Sequence, residues 1–216
     1  MLFSSDTLNV MRNLNDILLG RQMKLPPLIN ELKERIPNLE KQWKEIENLF
    51  FEVSYPSKTN LLNEGDVSQY LYFVKEGCLR LWFNDKGKDI TFQFFFENEI
   101  VTSFESFRFG IPSLFTLETI EPVKLLKINK QDLMSIFIKF PDTKDHLIEF
   151  LFQRLSRYTH LFLSRIKESP EDRYRALIKM EPRIPNRIPQ HYIASYLGIS
   201  PVSLSRIRKR VWEQKN

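Results

Sequence analysis

The chain has 216 residues, of which 42% are hydrophobic and 18 are phenylalanine; this is apolar surface enough for one large or two modest domains and excludes wholesale disorder. Its one cysteine, Cys78, excludes an intrachain disulfide, a cysteine-held zinc cluster and a cysteine-held iron–sulfur cluster, and no apolar run reaches the ~20 residues of a membrane span. The formal charge of +5 is uneven, because residues 154–216 hold 14 Lys+Arg against 5 Asp+Glu while the rest of the chain is mildly acidic, and a basic tail of this kind points to a polyanionic partner.

Residues 1–24 carry charges throughout and lack an apolar signal core, so a soluble, cytoplasmic protein without membrane contact is expected. Met11 and Met23 are alternative starts. Leu28, Leu32, Ile36, Leu39, Trp43, Ile46 and Phe50 recur at helical spacing, interrupted by Pro37, which predicts two short helices. From residue 51 to 128 the pattern changes to short β runs at 51–55, 60–62, 70–75, 78–84, 89–96, 115–121 and 123–128. Turn signals separate them, with Gly65, Gly77 and Gly87 each beside an acidic or amide-rich cluster. In the fifth run Ile90, Phe92, Phe94 and Phe96 fall on one face and Thr91 and Gln93 on the other. Strands at this spacing predict a compact antiparallel roll or barrel.

Asn129 is placed to cap a short helix reaching Phe140. A long helix then runs from Asp142 to Lys167, in which Ile148, Leu151, Leu155, Tyr158 and Phe162 repeat at spacings of three and four, as a coiled-coil seam does. Leu147, Phe150, Phe152, Leu161 and Leu163 widen the apolar surface beyond one face. Such a helix needs two partners, the roll on one side and a second copy of the chain on the other. Ser169 and Pro170 mark a hinge and cap before a helix at 173–180. Pro182, Pro185 and Pro189 lead into the last segment.

Residues 188–210 read as a helix-turn-helix. The first helix ends at Leu197, and Gly198 takes the left-handed turn that glycine makes without a Cβ penalty. Ser200 offers a hydroxyl cap and Pro201 suits the first helical position. Ile193, Leu197, Ile199, Leu204, Ile207 and Val211 face inward, and Ala194 is small enough for close helix crossing. Val202, Ser203, Ser205, Arg206, Lys209 and Arg210 remain on the outer face of the second helix, which suits the major groove of double-stranded DNA.

A roll, a long helix and a basic helix-turn-helix in this order resemble the Crp/Fnr superfamily of transcription regulators. The supporting residues run from Leu62 to Asp66, Tyr70 to Gly77, Asp172 to Leu177, Ile193 to Ser200 and Leu204 to Lys209. The resemblance implies an α+β fold: a sensor-like region over 1–141 made of N-terminal helices and a cyclic-nucleotide-binding-like β-roll, a dimerisation helix over 142–168, and a winged helix-turn-helix over 169–216. It implies a homodimer on a two-fold DNA site, RNA polymerase as a further partner, and a small-molecule effector that is either unidentified or absent. Arg187, Arg208, Lys209 and Arg210 are then expected at phosphates, with Arg206 reading a guanine, Ser203 and Ser205 near bases or backbone, and Gln190 and Ser200 also on the DNA-binding surface. Val202 stands where the superfamily often has glutamate, which alters the preference at that base pair.

The resemblance breaks at the nucleotide site. Cyclic-nucleotide binders carry a Gly-Glu pair for the ribose and, some ten residues on, an Arg-Ser or Arg-Thr pair for the phosphate. Here Thr102-Ser103 and Ser113-Leu114 stand in those places, so no guanidinium meets the phosphate and control by cyclic AMP is not expected. Glu105 and Arg108 lie nearby as candidates for a different ligand. His146, His160 and His191 all fall in predicted helices without metal-ligand spacing, so neither haem nor metal is expected, and no cofactor. The strands contain no histidine, which disfavours a cupin-type metal enzyme, and no phosphate loop or nucleophile elbow stands out, so no enzyme is expected. A second reading is a dimeric ligand-sensing or adaptor protein with a non-functional helix-turn-helix.

Overall fold

The computed structural model describes residues 39–213, and the first of the two helices expected between Leu28 and Phe50 lies outside them. The described part opens with α1 (Leu39–Ile46) and a 3-10 turn (Glu47–Leu49). Eight strands follow: β1 (Phe51–Tyr55), β2 (Asn60–Leu62), β3 (Tyr70–Glu76), β4 (Leu79–Asp85), β5 (Lys88–Phe95), β6 (Ile100–Val101), β7 (Thr116–Thr119) and β8 (Val123–Asn129). A short helix, α2 (Phe104–Phe109), separates β6 from β7. The strands form two antiparallel four-stranded sheets, ordered β1-β8-β3-β6 and β2-β7-β4-β5. Tyr72, Val74, Leu79, Leu81, Phe95, Leu117 and Leu125 fill the space between them.

Alternation along the strands supplies the other side of each sheet. Leu71 and Ile128, one residue out of step with the roll interior, join Ile46, Ile136, Phe140 and Phe150 beneath the helices. These come from α1, from α3 (Lys130–Lys139) and from α4 (Asp142–Lys167). Asn129 caps α3 as expected, its Oδ1 accepting from the Asp132 N–H at 2.9 Å.

Gly77 turns the chain from β3 in one sheet to β4 in the other at φ +90°, and a Cβ there would lie 2.4 Å from the Pro122 carbonyl oxygen and 2.8 Å from Val123 Cγ1. Backbone on one side and a core valine on the other leave no room to yield. Gly77→Ala is expected to lower stability by about 2 kcal/mol or more, read as a fall of about 5 °C or more in the melting midpoint.

The fifth strand departs from simple alternation. Leu81 pairs with Gln93 but Trp82 pairs with Thr91, so Phe92 is an extra residue in a β-bulge. A bulge inverts the facing of everything on one side of it. Phe92 and Phe95 therefore pack with the roll interior, whereas Phe94 and Phe96 pack on the opposite side with the C-terminal helices. Thr91 and Gln93, expected on the face opposite Ile90, Phe92, Phe94 and Phe96, are both buried.

After α4 come α5 (Pro170–Met180), α6 (Ile184–Arg187), α7 (Gln190–Leu197) and α8 (Pro201–Glu213). Ser169 caps α5, with Pro170 in its first turn. Among the described residues, 168–213 contain no strand, so the expected wing has no strand pair there. Proline cannot donate to a ladder, and of the three prolines at 182, 185 and 189, Pro185 sits in the first turn of α6.

Candidate nucleic-acid interface and the surface beneath it

The helix-turn-helix forms as its local chemistry dictates. Gly198 takes φ +68°, and the N–H groups of Gly198 and Ile199 return to the Ser195 and Ala194 carbonyls at 3.0 Å each, satisfying carbonyls that the helix end leaves free. Ser200 Oγ accepts from the Ser203 N–H at 3.1 Å. Ile193, Ala194, Leu197, Leu204, Ile207 and Val211 are buried between α7, α8 and α5. This apolar cluster fixes the angle of α8.

The opposite face of α8 is open. Val202 is 61% exposed, and Ser203, Ser205, Arg206, Lys209 and Arg210 are exposed around it. Gln190, His191 and Ser200 lie exposed at the adjoining helix ends. The basic residues divide into two sets. Arg206 enters no ion pair among the described residues, and Lys209 meets only Glu213 of its own helix at 3.8 Å. Arg208 and Arg210 lean toward α5: the Arg208 charge acts on the Tyr174 hydroxyl, and Arg210 Nε donates to Glu171 at 2.8 Å.

Arg187, expected at a phosphate, points the other way. Its Nη1 and Nη2 donate to the two oxygens of Glu97 at 2.9 and 2.6 Å, and Nη2 also pairs with Glu121. Arg183 Nη1 reaches Glu97 from the same side at 2.5 Å. Burial opposes ionisation of Glu97, but the hydrogen bonds from Arg187 and from backbone N–H groups outweigh it and hold its pKa down at about 2. Arg187 is raised in turn, first by its bond to Glu97. Both carboxylates belong to loops of the roll, so these ion pairs tie the C-terminal head to it.

The tie continues along α7. Ser195 Oγ accepts from the Thr91 N–H at 2.8 Å and donates to the Asp89 carbonyl at 2.7 Å, engaging the free edge of β5. Tyr196 packs on Phe94 with ring centres 5.3 Å apart. Tyr192 covers Arg80, its ring 3.6 Å from the guanidinium carbon, while Glu118 on the neighbouring strand accepts from Arg80 Nε at 2.7 Å. Arg80 is 1% exposed, and it is held by both a carboxylate and an aromatic face. None of these contacts follows from the helix-turn-helix pattern. Their one sequence signal is Tyr192 and Tyr196 at i, i+4, a second apolar stripe on a helix whose Ile193 and Leu197 already face the head's own core.

The residues singled out for an effector do not form one cavity. Thr102 is buried, its Oγ1 donating to the Tyr70 carbonyl at 2.9 Å and meeting Ser68 Oγ at 3.0 Å. Ser113 is buried and donates to the Phe115 carbonyl at 2.7 Å. Ser103 is buried at the start of α2, whereas Glu105, Arg108 and Leu114 are exposed. Between the roll and α4 the space is filled from within. Phe92 packs on Phe115 at 4.7 Å and on Tyr158 at 5.4 Å. The Tyr158 hydroxyl donates to Gln93 at 2.7 Å, and Arg154 donates to that hydroxyl at 2.9 Å and to the Ile100 carbonyl at 3.0 Å. Tyr158 thus faces the roll, while Ile148, Leu151, Leu155 and Phe162 of the same repeat face outward and are exposed. Among the described residues no group of three or more His, Cys, Asp and Glu is arranged to hold a metal ion, and no helix is long and apolar enough to cross a membrane.

This architecture has known counterparts. Residues 52–140 match the family model described as the cyclic nucleotide-binding domain, which covers most of the roll and α3. No curated protein matches the chain, but solved structures do. FixK2 from Bradyrhizobium japonicum is similar with a TM-score of 0.68 at 17% identity, over 77% of this chain and 86% of that one. The c-di-GMP responsive global regulator CLP of Xanthomonas campestris is similar with a TM-score of 0.65 at 19% identity, over 82% of this chain and 93% of that one. The catabolite activator protein of Thermus thermophilus is similar with a TM-score of 0.52 at 21% identity, over 88% of each chain. At these identities what is shared is the fold: a roll, a long helix and terminal helices in that order.

Proposed function

We propose that this protein is a sequence-specific DNA-binding transcription regulator of the Crp/Fnr type, acting as a homodimer on a two-fold site and not controlled by cyclic AMP. The observation that carries the reading is the division of α8 into a buried face of Leu204, Ile207 and Val211 and an open face of Val202, Ser203, Ser205, Arg206 and Lys209. Arg206 has no competing carboxylate among the described residues, so its guanidinium is free to meet a guanine edge at O6 and N7. Lys209 and the basic residues beside it supply the salt-dependent contacts to phosphate. Arg187 takes no part in this surface while it is paired to Glu97 and Glu121.

Fluorescence anisotropy against promoter fragments tests the reading. Arg206→Ala is expected to cost about 1–3 kcal/mol on the preferred site and little on random DNA, with the salt slope nearly unchanged. Preference surviving in that variant removes Arg206 as the reader, and no binding to any fragment at low salt favours a dimeric adaptor instead. Calorimetry with cyclic AMP is expected to give no saturable heat, because Phe92, Phe115, Tyr158 and Arg154 occupy the space between roll and α4 and no arginine stands at Ser113 or Leu114. Micromolar binding overturns that expectation.

A further inference from the structure

The row of β8 side chains that faces the roll interior runs Val123, Leu125, Lys127. The first two are core residues, and the third is a lysine in an inward position. Lys127 stands opposite Tyr72 of β3 and Phe51 of β1. Its ammonium lies 4.4 Å from the centre of the Tyr70 ring and forms no ion pair among the described residues. It opens on a cleft of about 300 Å³ lined by Tyr55, Asn60, Asp66, Tyr70, Tyr72 and Lys127, among others. That volume lies at the lower end of small-molecule sites.

The lining offers donors from Lys127 and from three tyrosines. The hydroxyls of Tyr55, Tyr70 and Tyr72 make no hydrogen bond to any described residue, although the Tyr72 ring is buried. Burial, followed by the neighbouring Tyr55 and Tyr70, raises the Tyr72 hydroxyl above its ordinary range, so it remains a proton donor. Asp66 is the one carboxylate in the lining, and it already accepts from Asn63 Nδ2 at 3.1 Å. A half-buried ammonium without an ion pair, set with three phenols against a single carboxylate, favours an anionic oxygen acceptor. The tyrosine rings beside them offer apolar faces for the rest of a ligand.

We propose that this cleft binds a small organic anion, its carboxylate or phosphate oxygens held by Lys127 and the tyrosine hydroxyls and its body lying against the rings of Tyr55 and Tyr70. Thr102, Ser103 and Ser113, where the superfamily places its nucleotide, are not in this lining; Thr102 and Ser113 touch it only through the backbone carbonyls of Tyr70 and Asp66. It also adjoins the helices, since Lys127 is two residues ahead of Asn129, the cap of α3.

Calorimetry of the full chain with benzoate and phenyl phosphate as probes tests the proposal, and it is independent of DNA binding. At least one probe is expected to bind saturably at one per chain, and the preferred probe distinguishes a carboxylate from a phosphate ligand. Lys127→Gln is expected to weaken that binding about tenfold or more, and Tyr70→Phe by a smaller factor. Arg108→Gln, in the separate surface near α2, should leave it unchanged. Absence of saturation of either probe by about 10 mM, or equal binding by wild type and a Lys127→Gln protein of unchanged melting temperature, overturns the proposal. Mobility shifts on the same samples report the regulator reading separately.

Discussion

Replacing Arg187 by alanine is expected to make Cys78 react with alkylating reagents about ten- to a hundredfold faster, while the roll itself melts almost unchanged. Cys78 is fully buried in the apolar cluster that joins roll and head, among Phe94, Phe96, Ile184, Ile188 and Tyr196. Burial first, then the Glu121 carboxylate, pushes its thiol up to about 12, so almost no thiolate forms while the head is docked. Labelling therefore requires the head to lift, and its rate follows the opening equilibrium. Arg187→Ala leaves Glu97 and Glu121 with one guanidinium fewer between them, and every 1.4 kcal/mol of lost docking is about tenfold in the open population. An unchanged rate means that the apolar cluster alone holds the head. The same ion pairs set an acid limit. The folded pKa of Glu97, about 2, is below its ordinary 4.5, so its contribution is complete above about pH 5 and is lost as pH falls toward 2. Labelling at neutral pH should not vary on this account.

That docked arrangement is also where sequence reasoning ended. Strands β1 to β5, β7 and β8 were legible because each alternates over several residues between turn signals, and the helix-turn-helix because Gly198, Ser200 and Pro201 each have one local conformational use. β6, two residues long, is too short to show a period. α2 has phenylalanines on more than one side, and only Gly110 at φ +69° marks its end. The bulge at Phe92 hid a change of face that no residue type announces. It splits Phe92 from Phe94 and Phe96, which simple alternation puts on one face, and it brings Thr91 under α7 and Gln93 under α4.

Arg187 shows the same limit for a single side chain. Next to a basic helix-turn-helix an arginine reads as a phosphate contact, because charge and proximity are visible in the chain. The two carboxylates that claim it are 90 and 66 residues away. Pairing over such separations is decided by tertiary packing. Arg80 is a parallel case: nothing in the fourth strand distinguishes an arginine stacked under Tyr192 and paired with Glu118 from one facing water.

The largest effect on DNA binding is expected from the outward stripe of α4. Its 26 residues make a rod about 39 Å long, and the roll covers only one side, through Phe150 and the Arg154–Tyr158–Gln93 network. Ile148, Leu151, Phe152, Leu155, Phe162 and Ile166 remain exposed on the other, Leu155 at 59% and Phe162 at 65%. Positions 148, 151, 155 and 162 keep the heptad spacing at which two helices interlock, and a contiguous apolar strip of this length is unusual on a monomer. In a two-fold pairing each residue near the axis meets its own counterpart or a close neighbour. The double substitution Leu155→Glu with Phe162→Glu therefore sets carboxylates against carboxylates and removes the buried area together, while touching nothing in the roll. The variant is expected to sediment as a monomer at concentrations where the wild type is a dimer, with an unchanged melting temperature for the roll. Its affinity for a two-fold site should fall by about 10²-fold or more, because the second head then binds without the effective concentration that the first one provides. A wild-type chain that sediments as a monomer, or a double variant that stays dimeric, refutes this stripe as the interface.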